Sequence, residues 1–421
     1  MKVLVINHCS TNKGDKAVLE FVLHELTANG VKLISVSANE PSCCQALLRD
    51  GMPSVRYVPW GWNIQKNRNP GFVSRIIRRL KQVFYSLTYA LIRHHLICGT
   101  RPWYLPFCCN RDFWRELQSA DIVVSTGGHH ITSILAPQAI SPQTFEMALA
   151  LLAGKPLFLW SQSIGPFEFE TDDNRLFIKE ILTRSVAIYT RDQRSLDELN
   201  YLGVPDNKIR QTYESVLGLS NLLDSLKKPS ERSLLVGISV YSVQGRSVEE
   251  HAKYVNSLRD IVNHVIDLGH RVQFFPMQVK GEDADDRPCI EAVLNAVSTP
   301  DRCSVVNDFK SMLEHIMEVA KCRLFIGHKT HSVIMALITG TPLIAIAYHP
   351  KTIDFMQQFG LSANCLNDIV LNGPRLIEMF NKMQPEIDKI GAIQLSKSKS
   401  MGDIVRGDFQ EMLGEKNPRW S

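Results

Sequence analysis

A chain of 421 residues with 44% apolar and 21% charged side chains can support two or three domains at roughly 100 to 200 residues each, which excludes a disordered chain or a small disulfide scaffold. The 47 basic and 43 acidic residues nearly cancel, and no nucleic-acid partner is expected. The charge is unevenly spread: between Gly51 and Arg111 there is no Asp or Glu, while Arg56, Lys66, Arg68, Arg75, Arg78, Arg79, Lys81, Arg93, Arg101 and Arg111 fall in that window. The ten cysteines show no CxxC spacing and are expected as reduced thiols of a cytoplasmic protein. The opening MKVLVINHCS passes directly into a β-like run, so no export signal is expected.

In chain order, short β-branched runs alternate with longer helical patterns, the signature of parallel sheets covered by crossover helices. Strands are predicted at Val3–Ile6, Leu33–Val36, Val55–Val58, Ile122–Ser125, Leu157–Trp160, Ala187–Thr190 and Lys208–Gln211. Helices are predicted near Asp15–Asn29, Phe72–Ile97, Phe145–Ala153, Asp172–Arg184 and Gln193–Leu202. A polar break from Asp224 to Arg232 precedes a second series of strands, at Leu234–Val240, Val272–Pro276, Ser304–Val306, Leu324–Ile326 and Leu343–Ile346. Its helices are predicted near Ser247–Leu268, Asp283–Val297, Lys310–Val319, His331–Thr339 and Thr352–Phe359. The expected class is α/β with two doubly wound, Rossmann-like domains facing a cleft: residues 1–226 with a basic amphipathic insertion near 60–111, residues 227–366, and a helical tail at 367–421.

Ligands of open α/β sheets bind beyond the carboxyl ends of the strands, so the residues there carry the argument. The first strand runs into Asn12-Lys13-Gly14-Asp15, where Gly14 permits close approach and Asp15 caps the next helix; an ordinary βα turn is the alternative. Ser125-Thr126-Gly127-Gly128-His129 puts a glycine pair beside an imidazole able to bind or relay a proton, or forms a plain flexible turn. Gln162 and Ser163 precede the Gly165-Pro166 turn, and Arg191 offers a fork suited to carboxylate or phosphate unless it serves a structural pair.

The richest stretch is Gly327-His328-Lys329-Thr330-His331, where a strand delivers a glycine, a cation, a hydroxyl and two imidazoles to a helix N-terminus. Such a set forms a cradle for phosphate and carboxylate with a proton donor beside it. The alternatives are turn histidines, or zinc held by His328, His331 and His349. Tyr348 and Lys351 follow the next strand.

The ordered set Asn12-x-Gly14-Asp15, Gly127-Gly128, Gln162-x-Ile164-Gly165-Pro166, Arg191-Asp192-x-x-Ser195, Gly327-x-Lys329-x-His331 and Tyr348-x-Pro350-Lys351 resembles the polysaccharide pyruvyl transferase family over roughly the first 360 residues. The resemblance implies a GT-B-like architecture and transfer of pyruvyl from phosphoenolpyruvate to a sugar as a ketal, with phosphoenolpyruvate as co-substrate and neither cofactor nor metal. It implies that His331 is the acid and that Arg191 and Lys329 hold the donor, with Thr330, His328, Lys351 and Tyr348 around them. Asp15 or His129 would orient or deprotonate the acceptor, and Asn12, Gly14, Gly127, Gly128, Gln162 and Ser163 would line the acceptor side. Lys329 stands where the family pattern commonly has arginine, and His129 where many members have a third glycine.

Apolar positions Phe72, Ile76, Leu80, Phe84, Leu87 and Leu91 recur every three or four residues beside Arg75, Arg78, Arg79 and Lys81. The pattern fits a helix lying in an anionic membrane surface, or a domain-covering helix with a solvated basic face. The expected function is a cytoplasmic pyruvyl transferase, at the inner face of the plasma membrane, acting on a lipid-linked sugar in exopolysaccharide, capsule or cell-wall assembly. The alternatives are a GT-B glycosyltransferase using a nucleotide sugar and a catalytically lapsed binding member.

Overall fold

The computed structural model describes residues 1–10, 12–44, 54–62, 72–134, 136–139, 141–223, 225–241, 247–279, 285–306, 311–367 and 371–414, without the side chains of 72–82. Seven strands make the first sheet: β1 (Lys2–His8), β2 (Leu33–Ala38), β3 (Val55–Pro59), β4 (Ile122–Ser125), β5 (Leu157–Gln162), β6 (Ala187–Thr190) and β7 (Ile209–Gln211). They are all parallel, in the order β3-β2-β1-β4-β5-β6-β7. Near-continuous apolar strands such as Val3–Ile6 are fully buried because helices cover both faces. Those helices are α1 (Lys13–Ala28), α2 (Phe72–Cys98), α3 (Arg111–Ser119), α4 (Pro142–Leu152), α5 (Asp172–Arg184) and α6 (Gln193–Leu202).

The second sheet has six parallel strands: β8 (Leu235–Ile238), β9 (Arg271–Phe274), β10 (Cys303–Val305), β11 (Leu324–Gly327), β12 (Leu343–Ala347) and β13 (Cys365–Asn367). Their order is β10-β9-β8-β11-β12-β13. The helices that follow its strands are α7 (Val248–Asp267), α8 (Arg287–Ala296), α9 (Met312–Lys321), α10 (Thr330–Ile338), α11 (Pro350–Gln358) and α12 (Gly373–Met383), before the final α13 (Ile387–Gly414). Each sheet reverses its winding once, at β1/β4 and at β8/β11, and these switch points are where a crevice opens at the carboxyl edge of such a sheet. Every expected strand is present; β13 and α3 were not foreseen.

The chain forms two compact units. One comprises Met1–Ser10, Val22–Ser215 and Val405–Ser421; the other comprises Thr11–Phe21 and Val216–Ile404. In the first, the indole N–H of Trp160 donates to Ser215 Oγ at 3.0 Å, and its ring meets Phe409 edge-on at 4.8 Å. Arg406 Nε donates to Glu25 Oε1 at 3.0 Å beside them in the same unit. The second unit packs Phe275 against Phe325 at 5.3 Å and buries the whole of α10 from Ser332 to Ile338. None of the ten cysteines is joined in a disulfide.

Candidate functional site

The second unit gathers its chemistry at the β8/β11 switch point. β11 ends at Gly327, where a Cβ would lie 2.9 Å from Val333 Cγ2, so the strand passes tightly into α10 only with glycine there. His328 turns inward and is fully buried. Its Nδ1 lies 2.7 Å from the Tyr254 hydroxyl, and its ring meets those of Tyr241, Tyr254 and Tyr348. It forms the wall of the site. Among the described residues no group of three His, Cys, Asp or Glu side chains has a metal-binding arrangement.

Lys329 and His331 face different partners. The Lys329 ammonium lies 2.8 Å from Asp286 Oδ1 and 5.5 Å from the centre of the Tyr241 ring. Asp286 is fully buried, and its Oδ2 accepts from the backbone N–H groups of Met277 and Gln278, both at 2.9 Å. The same turn after β9 holds the start of α1: Asn12 pairs with Gln278, and the Lys13 amide donates to Met277 O at 3.2 Å. Asn12 Oδ1 accepts from the Gly14 amide at 2.7 Å, and the imidazole of His331 fills the space beside Gly14 where a side chain would stand. A closed circuit results, from Lys329 through Asp286, the 277–278 turn, Asn12 and Gly14 to His331.

Asp15 sits in the first turn of α1, in this unit with His331. Thr330 Oγ1 lies 2.9 Å from Thr352 Oγ1. Tyr348 stacks on Tyr241 with ring centres 4.0 Å apart, and burial, reinforced by Tyr241, pushes its phenol up to about 12. Lys351 lies in the first turn of α11, its amide donating to His349 Nδ1 at 3.2 Å. The backbone N–H groups at the start of α10 lie beside Lys329 and offer a partial positive charge to an anion.

The first unit assembles a separate polar network at its own switch point. A Cβ on Gly127 would stand 2.9 Å from Ser161 O, and one on Gly128 would stand 2.2 Å from His130 Nε2, so both glycines serve close packing. His129 Nε2 lies 2.6 Å from Gly165 O. Gln162 is fully buried and donates to Thr126 O at 2.5 Å; the Ser163 amide donates to Gly128 O at 2.8 Å. Arg191 is buried and already committed: its guanidinium pairs with Glu214, and its Nε donates to Ser163 Oγ at 2.8 Å. Ser163 in turn donates to Asp192 Oδ2 at 2.6 Å. Burial alone would raise the Asp192 carboxyl, but hydrogen bonds from Ser163 and Ser195 and the adjacent Arg191 bring it below the usual carboxylate range.

Three carboxylates at these edges escaped the sequence reading: Asp286, Glu214 and Glu146. Glu146 is fully buried in α4 and accepts from Ser37 Oγ at 2.5 Å, the Gly61 amide at 2.7 Å and the Asn7 amide at 3.1 Å. Burial raises it to about 7, against the lowering effect of those hydrogen bonds. Asn7 itself has a φ of 70°, a left-handed conformation that asparagine tolerates.

α2 has two apolar faces. Thr88, Tyr89, Ile92 and Leu96 are buried in the first unit, whereas Val83, Phe84, Leu87 and Leu91 are exposed, Phe84 to 55% and Leu87 to 60%. The cluster at Phe72–Lys81 lies outside the described side chains. Among the described residues no helix is long and apolar enough to cross a membrane.

The model of a family described as polysaccharide pyruvyl transferase matches residues 12–350. The amylovoran biosynthesis protein AmsJ of Erwinia amylovora is 24% identical over 98% of this chain and 100% of its own length. Among solved structures, the UDP-GlcNAc 2-epimerase of Neisseria meningitidis bound to UDP-GlcNAc superposes with a TM-score of 0.58 at 13% identity, covering 99% of this chain and 100% of that one. A ugt transferase from Siraitia grosvenorii in complex with UDP gives a TM-score of 0.51 at 10% identity, covering 98% and 99%. At these identities the likeness is one of fold, GT-B-like, with two doubly wound α/β sheets in the chain.

Proposed function

The chain belongs to the polysaccharide pyruvyl transferase family, and we propose that this transferase moves pyruvyl from phosphoenolpyruvate to a sugar of a polysaccharide, forming a ketal on two hydroxyls. The observation that carries the reading is the junction of Lys329, His331 and the α10 N-terminus with the Gly14 turn in one unit. His331 donates a proton to the methylene carbon of the enol phosphate, leaving an oxocarbenium-like centre that a sugar hydroxyl attacks. Phosphate then departs with the C–O electron pair, and a second hydroxyl closes the ketal; one hydroxyl proton restores His331 and the other leaves with phosphate. Lys329 and the helix N-terminus stabilise charge on the departing phosphate, so the scheme requires no cofactor.

Gly127, Gly128 and His129, which the family resemblance names for the acceptor, follow β4 of the first sheet. A lipid-linked acceptor is favoured by the exposed apolar face of α2, which lies in the acid-free basic window and suits an anionic lipid surface, each near-surface cation contributing about 1 kcal/mol. The test is to incubate purified protein with phosphoenolpyruvate and polysaccharide fragments, measuring phosphate release and a ketal-linked three-carbon acid by mass spectrometry. His331→Ala should lower turnover by about 10²- to 10⁴-fold with the fold retained. Release of nucleotide from a UDP-sugar, with none of phosphate from phosphoenolpyruvate, would overturn the reading in favour of a glycosyltransferase.

A further inference from the structure

We propose that Asp286 is a positioning residue that aims the Lys329 ammonium at the donor and, through the turn it braces, fixes the seat of His331. The inference rests on the donor reading above. Asp286 has no exposed surface, so it acts on the donor only through its neighbours. Its two oxygens divide the work. Oδ1 holds Lys329 Nζ at 2.8 Å, and Oδ2 takes the Met277 and Gln278 amides at 2.9 Å each. Charge-assisted bonds of this kind are the strong ones, and they hold a flexible four-carbon stem in one direction.

Lys329 lacks the planar fork of arginine and needs such an external guide to present its charge in a fixed geometry. Tyr241, 5.5 Å from the ammonium, limits it from another side. The same carboxylate fixes the turn to which Asn12 and Lys13 are bonded, and Asn12 sets the start of the helix on which the His331 ring rests. One buried acid thus registers the phosphate-binding cation and the proton donor against each other. Proximity effects of this type are sensitive to displacements of about 1 Å.

The experiment is a double-mutant cycle of Asp286→Asn and Lys329→Met, read in two ways. In the phosphate-release assay, Asp286→Asn should raise the KM for phosphoenolpyruvate at least 10-fold in the wild-type background and less than 2-fold in the Lys329→Met background. Independently of turnover, acylation of Lys329 followed by mass spectrometry should run at least 5-fold faster in Asp286→Asn, because the amine has lost its partner. If phosphate release from phosphoenolpyruvate is absent altogether, the donor reading fails while the acylation arm still decides the pairing. Equal KM effects in both backgrounds, or unchanged acylation, would overturn the proposal. Asp286→Glu, which keeps the charge one methylene away, should show the same pattern at smaller amplitude. If both Asp286 variants unfold while Lys329→Met melts like wild type, Asp286 is a brace of the fold alone and the proposal is wrong.

Discussion

The imidazole of His331 occupies the place of a side chain on Gly14: a Cβ built there would lie 2.0 Å from Nδ1. The two residues are 317 positions apart in sequence, yet each defines the other's room. Gly14 is inside α1, where alanine favours the helix, so Gly14→Ala should leave the backbone intact and evict the ring. Turnover is expected to fall about 100-fold with little change in melting temperature. Phosphate-release kinetics beside a thermal melt check this; a fully active Gly14→Ala protein would contradict the assigned seat of His331.

Glu146 predicts a pH dependence. Its folded-state value of about 7 lies above that of an unfolded glutamate at about 4.3, so the folded protein binds the extra proton between those limits. Stability should therefore decline as pH rises from about 4.3 to about 7, by roughly 4 kcal/mol from this group, and stay level above. Glu146→Gln should flatten that slope. Denaturant midpoints measured across pH 4 to 8 read the difference; an unchanged slope would sink the assignment.

Arg191 separates a structural role from a ligand role. Removing its guanidinium leaves the Glu214 carboxylate buried without its partner, a loss of about 3 to 5 kcal/mol. Arg191→Ala should unfold several degrees earlier, and Arg191→Ala/Glu214→Gln should recover part of the loss. If Arg191→Ala melts like wild type and changes only the KM for phosphoenolpyruvate, the guanidinium is held for the donor rather than for the fold.

The outward face of α2 gives the fourth expectation. Phe84→Glu with Leu87→Glu should abolish co-sedimentation with vesicles rich in anionic lipid, without altering turnover on a soluble acceptor. Wild-type binding should weaken with salt, since the basic window contributes through screened charge. Equal sedimentation of wild type and variant would show that this face does not meet lipid.

The alternation of apolar runs and helical periods made the two parallel sheets legible, because strands buried on both faces announce themselves by composition. β13 escaped because Cys365-Leu366-Asn367 is only three residues long, with no β-branched residue, and is a strand only by pairing with β12. α3 escaped because its Phe113 and Leu117 stand among Arg, Asp and Glu, directly after the basic insertion read as ending near Arg111. At the site, Gly327, Lys329 and His331 were visible because they cluster on one turn. Asp286 was hidden in the acidic run Glu282 to Asp286, which reads as the solvated, acidic start of the helix predicted near Asp283–Val297; only Lys329, 43 positions later, gives it a meaning. Glu146 resembles the polar side of α4, and nothing local reveals that Ser37, Gly61 and Asn7 converge on it. Long-range pairing decided each of these cases.

The first unit takes its closing piece from the end of the chain. Phe409 against Trp160 and Arg406 on Glu25 complete a core otherwise laid down by residues 1–10 and 22–215. On the ribosome that core stays unsealed until the whole intervening segment has been translated, so the half made first matures last. A nascent chain stopped at Ile404 would hold Trp160 without Phe409 and Glu25 without Arg406.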